Sequence, residues 1–257
     1  MRAFLWGRTA ELPELTPARA ERLCREALAR RPRAAARHLW GTVRVLEETG
    51  RLWRSPASPY RRRAQRLLAG GGFSAATVRA TLDILPRLLE AGALRRRLER
   101  ELGRADALDA WSLDPEGERT LKAFPLGAVL HVAAGNIFLG CIDSVVMSLL
   151  TNNVTLLRMS SADTAFPLLF AESLRRADRD GVLAGTLAAV SWDSAREDVA
   201  AVFKRRLQGV VVWGGEGAVS AYRRDLGPGC RFVAFGPKLS FGVVTRGALR
   251  AHGPSEA

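Results

Sequence analysis

The sequence predicts an α/β fold, a doubly wound parallel sheet preceded by an α-helical region, on three observations. Short apolar runs, the length of strands buried on both faces, recur at 128–133, 154–157, 187–191, 208–213 and 231–235. Segments long enough for crossover helices separate them, at 137–150, 166–177, 194–206 and 218–226. The first hundred residues lack this alternation and read as successive Arg-rich helices.

In chain order, residues 1–15 read as irregular. Thr16 and Pro17 have the chemistry of an N-cap and first helical position, opening a helix to about residue 30. A second helix, 33–49, is expected to stop at Gly50. A third opens at Ser58-Pro59 and stops at glycines 70–72, Ser74 caps a fourth to about residue 90, and 94–102 extends the helical region. Residues 106–117 connect, and 119–124 read as an edge strand. Strand 128–133 then enters the turn Ala134-Gly135-Asn136, helix 137–150 ends at Asn152-Asn153, and 154–157 forms the next strand. This is one βαβ unit with a right-handed crossover. Ser194 with Glu197 three residues on reads as a capping box for the helix to 206. A glycine-rich turn, 214–217, joins strand 208–213 to the next helix, and strands are expected at 231–235 and 240–245. The expected division is a helical region, 1–105, packed on a nucleotide-binding domain, 106–257.

Composition narrows the function classes. The apolar fraction of 47% is that of a globular domain, and the longest apolar stretch, 137–150, is broken by Asp143, so no membrane span is expected. The first residues are too soon charged for a secretory signal, and Cys24, Cys141 and Cys230 show neither metal spacing nor a paired framework; a cytoplasmic protein without metal is expected. The net charge of +13 comes almost wholly from arginine, with Lys122, Lys204 and Lys238 the only lysines. Its clusters lie on expected helix faces, and no nucleic-acid-binding motif accompanies them, which argues against nucleic acid as partner.

Ligand sites of such sheets lie beyond the carboxyl ends of the strands. Gly214 and Gly215 follow one strand and open a helix, a place where backbone N–H groups and the helix dipole favour phosphate; a tight turn without ligand is the alternative. Arg158 ends another strand, beside Ser160 and Ser161 and without a carboxylate before Asp163. That set suits a 2′-phosphate and hence NADP, the alternative being a solvated arginine. Asn136 reads as a helix cap, Cys141 as core and His131 as a core or near-site residue, and no nucleophile–base constellation stands out.

Taken together, Pro125, Gly127, His131, Gly135-Asn136, Asn153-Val154, Arg158, Ser160-Ser161, Trp213-Gly214-Gly215-Glu216 and Phe235-Gly236-Pro237-Lys238 resemble, in order and spacing, the LuxC-type acyl-CoA reductases of the aldehyde dehydrogenase superfamily. The resemblance implies a Rossmann-like sheet of the aldehyde dehydrogenase type and NADPH-dependent reduction of an acyl-CoA or acyl-carrier thioester to an aldehyde through a cysteine acyl-enzyme. It implies that Asn136 holds the oxyanion and that Arg158, Ser160, Ser161, Gly214, Gly215 and Glu216 line the cofactor. Ala234 stands where hydrolytic relatives carry a general-base glutamate, which fits reduction and equally a degenerate site.

The resemblance also places the nucleophilic cysteine in a second α/β domain beyond the Phe235-Gly236-Pro237-Lys238 segment, and none of the three cysteines here matches it. The chain is therefore expected to supply the cofactor-binding half, with a second chain carrying the thiol domain or a homo-oligomer as partners. The alternative is a degenerate, non-catalytic domain that binds a nucleotide or a partner.

Overall fold

The computed structural model describes residues 1–69, 73–114, 116–135, 138–238, 240–247 and 250. The glycines expected to stop the third helix, together with Asn136 and His252, lie outside this set. The elements in chain order are β1 (Arg2–Leu5), β2 (Arg8–Glu11), α1 (Pro17–Ala35), α2 (Leu39–Arg54), α3 (Pro59–Ala69), α4 (Ala75–Leu88), α5 (Ala91–Leu102), β3 (Ser112–Leu113), β4 (Thr120–Leu121), β5 (Ala128–Val132), α6 (Phe138–Leu150), β6 (Val154–Arg158), α7 (Ala165–Ala177), β7 (Leu187–Val190), α8 (Glu197–Arg206), β8 (Gly209–Trp213), α9 (Glu216–Arg223) and β9 (Arg231–Phe235).

Seven strands form one sheet in the order β2-β1-β7-β6-β5-β8-β9. The five from β7 to β9 are parallel, and β1 joins β7 antiparallel, with Phe4 opposite Ala189. The sheet is doubly wound because its sequence runs outward from β5 in both directions. β5 to β7 are buried along nearly their whole length, which is why they read as unbroken apolar runs. β9 alternates exposed and half-buried residues, as an edge strand does.

Each face of the sheet carries its own core. On one face α2, α4, α6 and α7 enclose a cluster centred on Trp53, whose ring meets Phe166 edge-on at 5.7 Å and whose Nε1 donates to Ser173 Oγ at 2.8 Å. Burying such a side chain without an unpaired polar atom stabilises the packing by about 2–3 kcal/mol. On the other face α1, α8 and α9 cover Leu130, Val132, Leu156, Val210 and Val212. Helix coverage ends before the β9 edge on the first face. There Val233 and Phe235 are 46% and 42% exposed and border a groove of about 250 Å³ that also touches Met147 and Val211.

Side-chain caps open α1 and α4. Thr16 Oγ1 accepts from Arg19 N at 3.4 Å, and Ser74 Oγ from Thr77 N at 3.0 Å. Asn152 ends α6 with φ 59°, the left-handed conformation that asparagine tolerates, and its amide donates to Arg37 O at 2.9 Å. Asn153 Oδ1 accepts from Gly127 N at 2.9 Å, which fixes the entry to β5.

Six expectations are corrected. Residues 2–11 are paired strands, a short hairpin whose partner in the large sheet is some 185 positions away. α1 runs through Pro32 to Ala35, because its buried stripe, Ala20, Leu23, Ala27 and Ala34, continues past the one lost hydrogen bond. α2 passes Gly50, where a methyl group would lie 3.0 Å from Leu89 Cβ, so this glycine serves the close crossing of α2 and α4. α8 starts at Glu197 without a side-chain cap, since Asp193 turns the chain first, its Oδ1 accepting from Ala195 N and its carbonyl from Arg196 N. No strand forms at the described positions 240–245, and β4 pairs with β3 in a separate hairpin instead of the large sheet's edge.

Candidate functional site

The opening in the sheet lies where its winding reverses. β5 leads through α6 to β6 on one side, while its other neighbour, β8, leads through α9 to β9. The loops leaving β5 and β8 diverge, and a cleft of about 690 Å³ stands beyond their carboxyl ends. Ala133 and Gly135 form one side of it, Ala200 and Lys204 of α8 a second, and Ala218 and Tyr222 of α9 a third.

Arg158 lines this cleft from the end of β6. It is half-buried. Its Nη2 donates to the Trp192 carbonyl at 3.1 Å, and its guanidinium carbon lies 5.1 Å from the centroid of the Trp192 ring. Its Nε–H is shut off from solvent and has no partner among the described residues, where Arg158 also forms no ion pair. An unsatisfied buried donor on a full positive charge costs at least about 1–3 kcal/mol.

Gly214 and Gly215 line the cleft from the other side. Gly215 is the N-cap of α9, and the first-turn N–H groups that follow have no acceptor within the helix. A methyl group on Gly215 would meet nothing within 4 Å, so packing does not demand glycine there. Glu216, the first residue of α9, is exposed, lies off the cleft wall and complements the helix dipole. Ser160 is half-buried beneath Gly135, with its Oγ accepting from Ala162 N at 3.2 Å, and Ser161 is exposed away from the wall. Of the expected cofactor residues the structure thus brings together Arg158, Gly214 and Gly215, and sets Ser160, Ser161 and Glu216 around them. Asn136 follows Gly135 immediately in the chain but is outside the described residues.

Polar cleft residues that escaped the sequence reading include Lys204, Tyr222, Ser194, Glu197, Arg224 and Asp225. Lys204 is buried and donates to the carbonyls of Ala221 and Arg224 at 3.1 and 3.0 Å, tying α8 to the carbonyl end of α9. Tyr222 is 8% exposed; burial pushes its hydroxyl up, against a smaller downward pull from Arg158. Ser194 and the exposed Glu197 complete the rim near α8. Only one signal could have found them: all lie on segments that follow the carboxyl ends of β7 and β8.

Other titratable groups are structural. His131 Nδ1 shares a hydrogen bond with Ser144 Oγ at 2.7 Å, Trp213 Nε1 donates to the same oxygen at 3.1 Å, and burial pushes the imidazole down to about 3, which keeps it neutral. Burial pushes the Cys24 thiol up to about 12 and raises those of Cys141 and Cys230, the reverse of what a nucleophile needs. Asp163 turns Oδ1 to the start of α7, accepting from Phe166 N at 3.0 Å, and burial raises its carboxyl. Among the described residues no group of three His, Cys, Asp or Glu could hold a metal ion, and no helix is long and apolar enough to cross a membrane.

Residues 34–253 match the family described as acyl-CoA reductase (LuxC). The chain is 28% identical over 205 residues to the long-chain acyl-protein thioester reductase of Vibrio harveyi, covering 79% of this chain and 43% of that protein. It is 29% identical over 209 residues to the protein of the same name from Photorhabdus laumondii, covering 80% and 43%. The chain thus spans less than half the length of these curated relatives. Among solved structures, aldehyde dehydrogenase C of Pseudomonas syringae, a C291A mutant complexed with NAD+ and octanal, superposes with a TM-score of 0.70 at 15% identity, over 93% of this chain and 50% of that one. The glyceraldehyde-3-phosphate dehydrogenase GapN of Methanocaldococcus jannaschii, complexed with NADP, gives 0.68 at 13% identity, over 87% and 47%. These likenesses establish the aldehyde dehydrogenase fold.

Proposed function

The chain belongs to the acyl-CoA reductase (LuxC) family, and from that premise we propose that it forms the NADPH-binding half of an enzyme that reduces an acyl thioester to an aldehyde. The observation that carries this reading is the cleft at the β5–β8 opening, where Arg158, with its unpartnered Nε–H, and the Gly214-Gly215 turn line one space. The residues fit the cofactor. Arg158 would hold the 2′-phosphate, and the open turn at Gly215 would let the diphosphate approach the first amides of α9. Ala200, Ala218 and Tyr222 would enclose the adenosine between α8 and α9. NADPH would supply the hydride.

The side chain of Asn136 would donate to the oxyanion formed at the acyl carbon, and such a donor contributes about 3 kcal/mol to the rate. The thiol that carries the acyl group would come from outside these residues, which agrees with the raised thiols of Cys24, Cys141 and Cys230. The apolar strip along Val233 and Phe235 supports docking of that thiol-bearing part against β9.

Calorimetric titration of the chain with NADPH, NADP+ and NADH tests the cofactor half. NADPH should bind at least about tenfold tighter than NADH, and Arg158→Glu should abolish that difference. Failure of the unmodified chain to bind any of the three would refute the reading.

A further inference from the structure

We propose that Trp192 is a positioning residue for the 2′-phosphate: its carbonyl and its ring hold the Arg158 guanidinium fixed while leaving its charge and most of its donors free. The inference rests on the reading that the cleft takes an adenine dinucleotide.

Three features carry it. First, Trp192 grips Arg158 twice, through the 3.1 Å bond from Nη2 to its carbonyl and through the ring 5.1 Å from the guanidinium carbon. The register of the sheet makes this reach possible. Arg158 is opposite Val190, Met159 N donates to Val190 O at 2.8 Å, and Trp192 follows two residues later. Second, the ring is itself immobilised. It is 8% exposed and stacks on Phe203 of α8 at 5.0 Å with planes 19° apart, and Phe203 is fully buried. Third, both contacts come from neutral groups.

That third feature decides the chemistry. This chain binds many of its arginines with carboxylates, as in Arg97 with Asp143 and Arg206 with Glu21. A carboxylate on Arg158 would neutralise it and occupy two of its donors. A carbonyl and a π face leave the net charge intact, and only one of the five N–H groups is used. An unanchored arginine also carries about 2 kcal/mol of side-chain entropy, part of which is lost on gripping a ligand; clamping it beforehand removes that part of the cost of binding. The ligand class that benefits is a dianionic phosphate monoester on the ribose. A ribose hydroxyl gains little.

The test uses two probes that differ only in the 2′-phosphate, 2′,5′-ADP and 5′-AMP, titrated into the full chain and into Trp192→Phe, Trp192→Met and Arg158→Lys. The unmodified chain should favour 2′,5′-ADP by about tenfold or more. Trp192→Phe, which keeps a ring, should retain most of that ratio. Trp192→Met, which fills the space without a ring, should bring it to within about threefold of unity, with 5′-AMP affinity held within about threefold. Arg158→Lys, with the charge kept and the planar group lost, should lose the ratio as well. A ratio retained in a folded Trp192→Met, or in Arg158→Lys should Trp192→Met not fold, overturns the clamp. An equal loss in Trp192→Phe and Trp192→Met overturns it too, since bulk and not the ring would then be what matters. If the unmodified chain binds neither probe, the cofactor reading itself falls.

Discussion

Two glycine turns leave adjacent parallel strands at the same end of the sheet, and their glycines answer to different partners. After β5, a methyl group at Gly135 would lie 2.6 Å from Ser160 Oγ and 3.0 Å from Ala162 Cβ, so the neighbouring loop forbids a side chain. After β8, a methyl group at Gly215 would meet nothing within 4 Å, and the backbone there, φ −69° and ψ 174°, is one that any residue adopts. The fold requires the first glycine and has no use for the second. A cofactor diphosphate approaching the backbone from the cleft, as proposed above, would give it one. In sequence the two turns look alike, and only the surroundings separate a packing glycine from a binding glycine.

The comparison breaks first if the second turn is filled. Gly215→Val should weaken NADPH binding by about 100-fold, since the branched side chain stands where the diphosphate would meet the α9 amides. Its melting temperature should fall only by the few degrees that a valine at the α9 N-cap costs, because a Cβ there meets nothing within 4 Å. Calorimetry and a thermal scan read the two quantities separately, and a large drop in melting temperature would make Gly215 a second packing glycine.

Filling the first turn should do the reverse. Gly135→Ala forces Ser160 and Ala162 apart and should lower stability by about 1–3 kcal/mol, read as a shift of the urea midpoint. An unchanged midpoint would mean that the Ser160 loop yields.

The strand leading to that turn carries its own pH signature. His131 on β5 has its imidazole pushed down to about 3 by burial, so between about pH 3 and 6.5 the unfolded chain binds a proton that the native one does not. Its contribution is fully present above pH 6.5 and falls by about 1.4 kcal/mol per pH unit as pH drops below that. Denaturation in urea from pH 7 to pH 4.5 should show this slope, and His131→Gln should flatten it. The smallest effect sharpens the first: Ser160→Ala, made in the Gly135→Ala background, removes the nearest clash and should restore about 0.5–1 kcal/mol of the lost stability.

The alternating strands and helices from β5 to β9 were legible because each buried strand is an uninterrupted apolar run and a segment of helical length separates it from the next. Arg158, Gly214 and Gly215 were legible because they stand just past strand ends, which topology alone marks as a ligand's place. What escaped depends on distant residues. β1 and β2 are only four residues each, and β1 is held in the sheet by pairing with β7, some 185 positions away. Gly50 looked like a stop because a sequence does not reveal Leu89 packed against it. Asp163 and Glu197 show the limit at the site: the carboxylate nearest in sequence to Arg158 turns to the start of α7, whereas one 39 positions later lines the cleft. Trp192 had no signal at all, since its role is a relation to Arg158 and Phe203 and not a property of its own neighbourhood.

The pairing of β1 with β7 also sets a schedule. Residues 2–5 are synthesised some 185 residues before the strand they zip onto, which ends at Val190. At about 5–20 residues per second the N-terminal segment waits roughly 10–40 s before its partner exists. Until then the hairpin has no sheet to join, and an isolated hairpin is marginal in water. β1 and β2 are thus made well before the strand that receives them, and they close that edge of the sheet only once β7 has been synthesised.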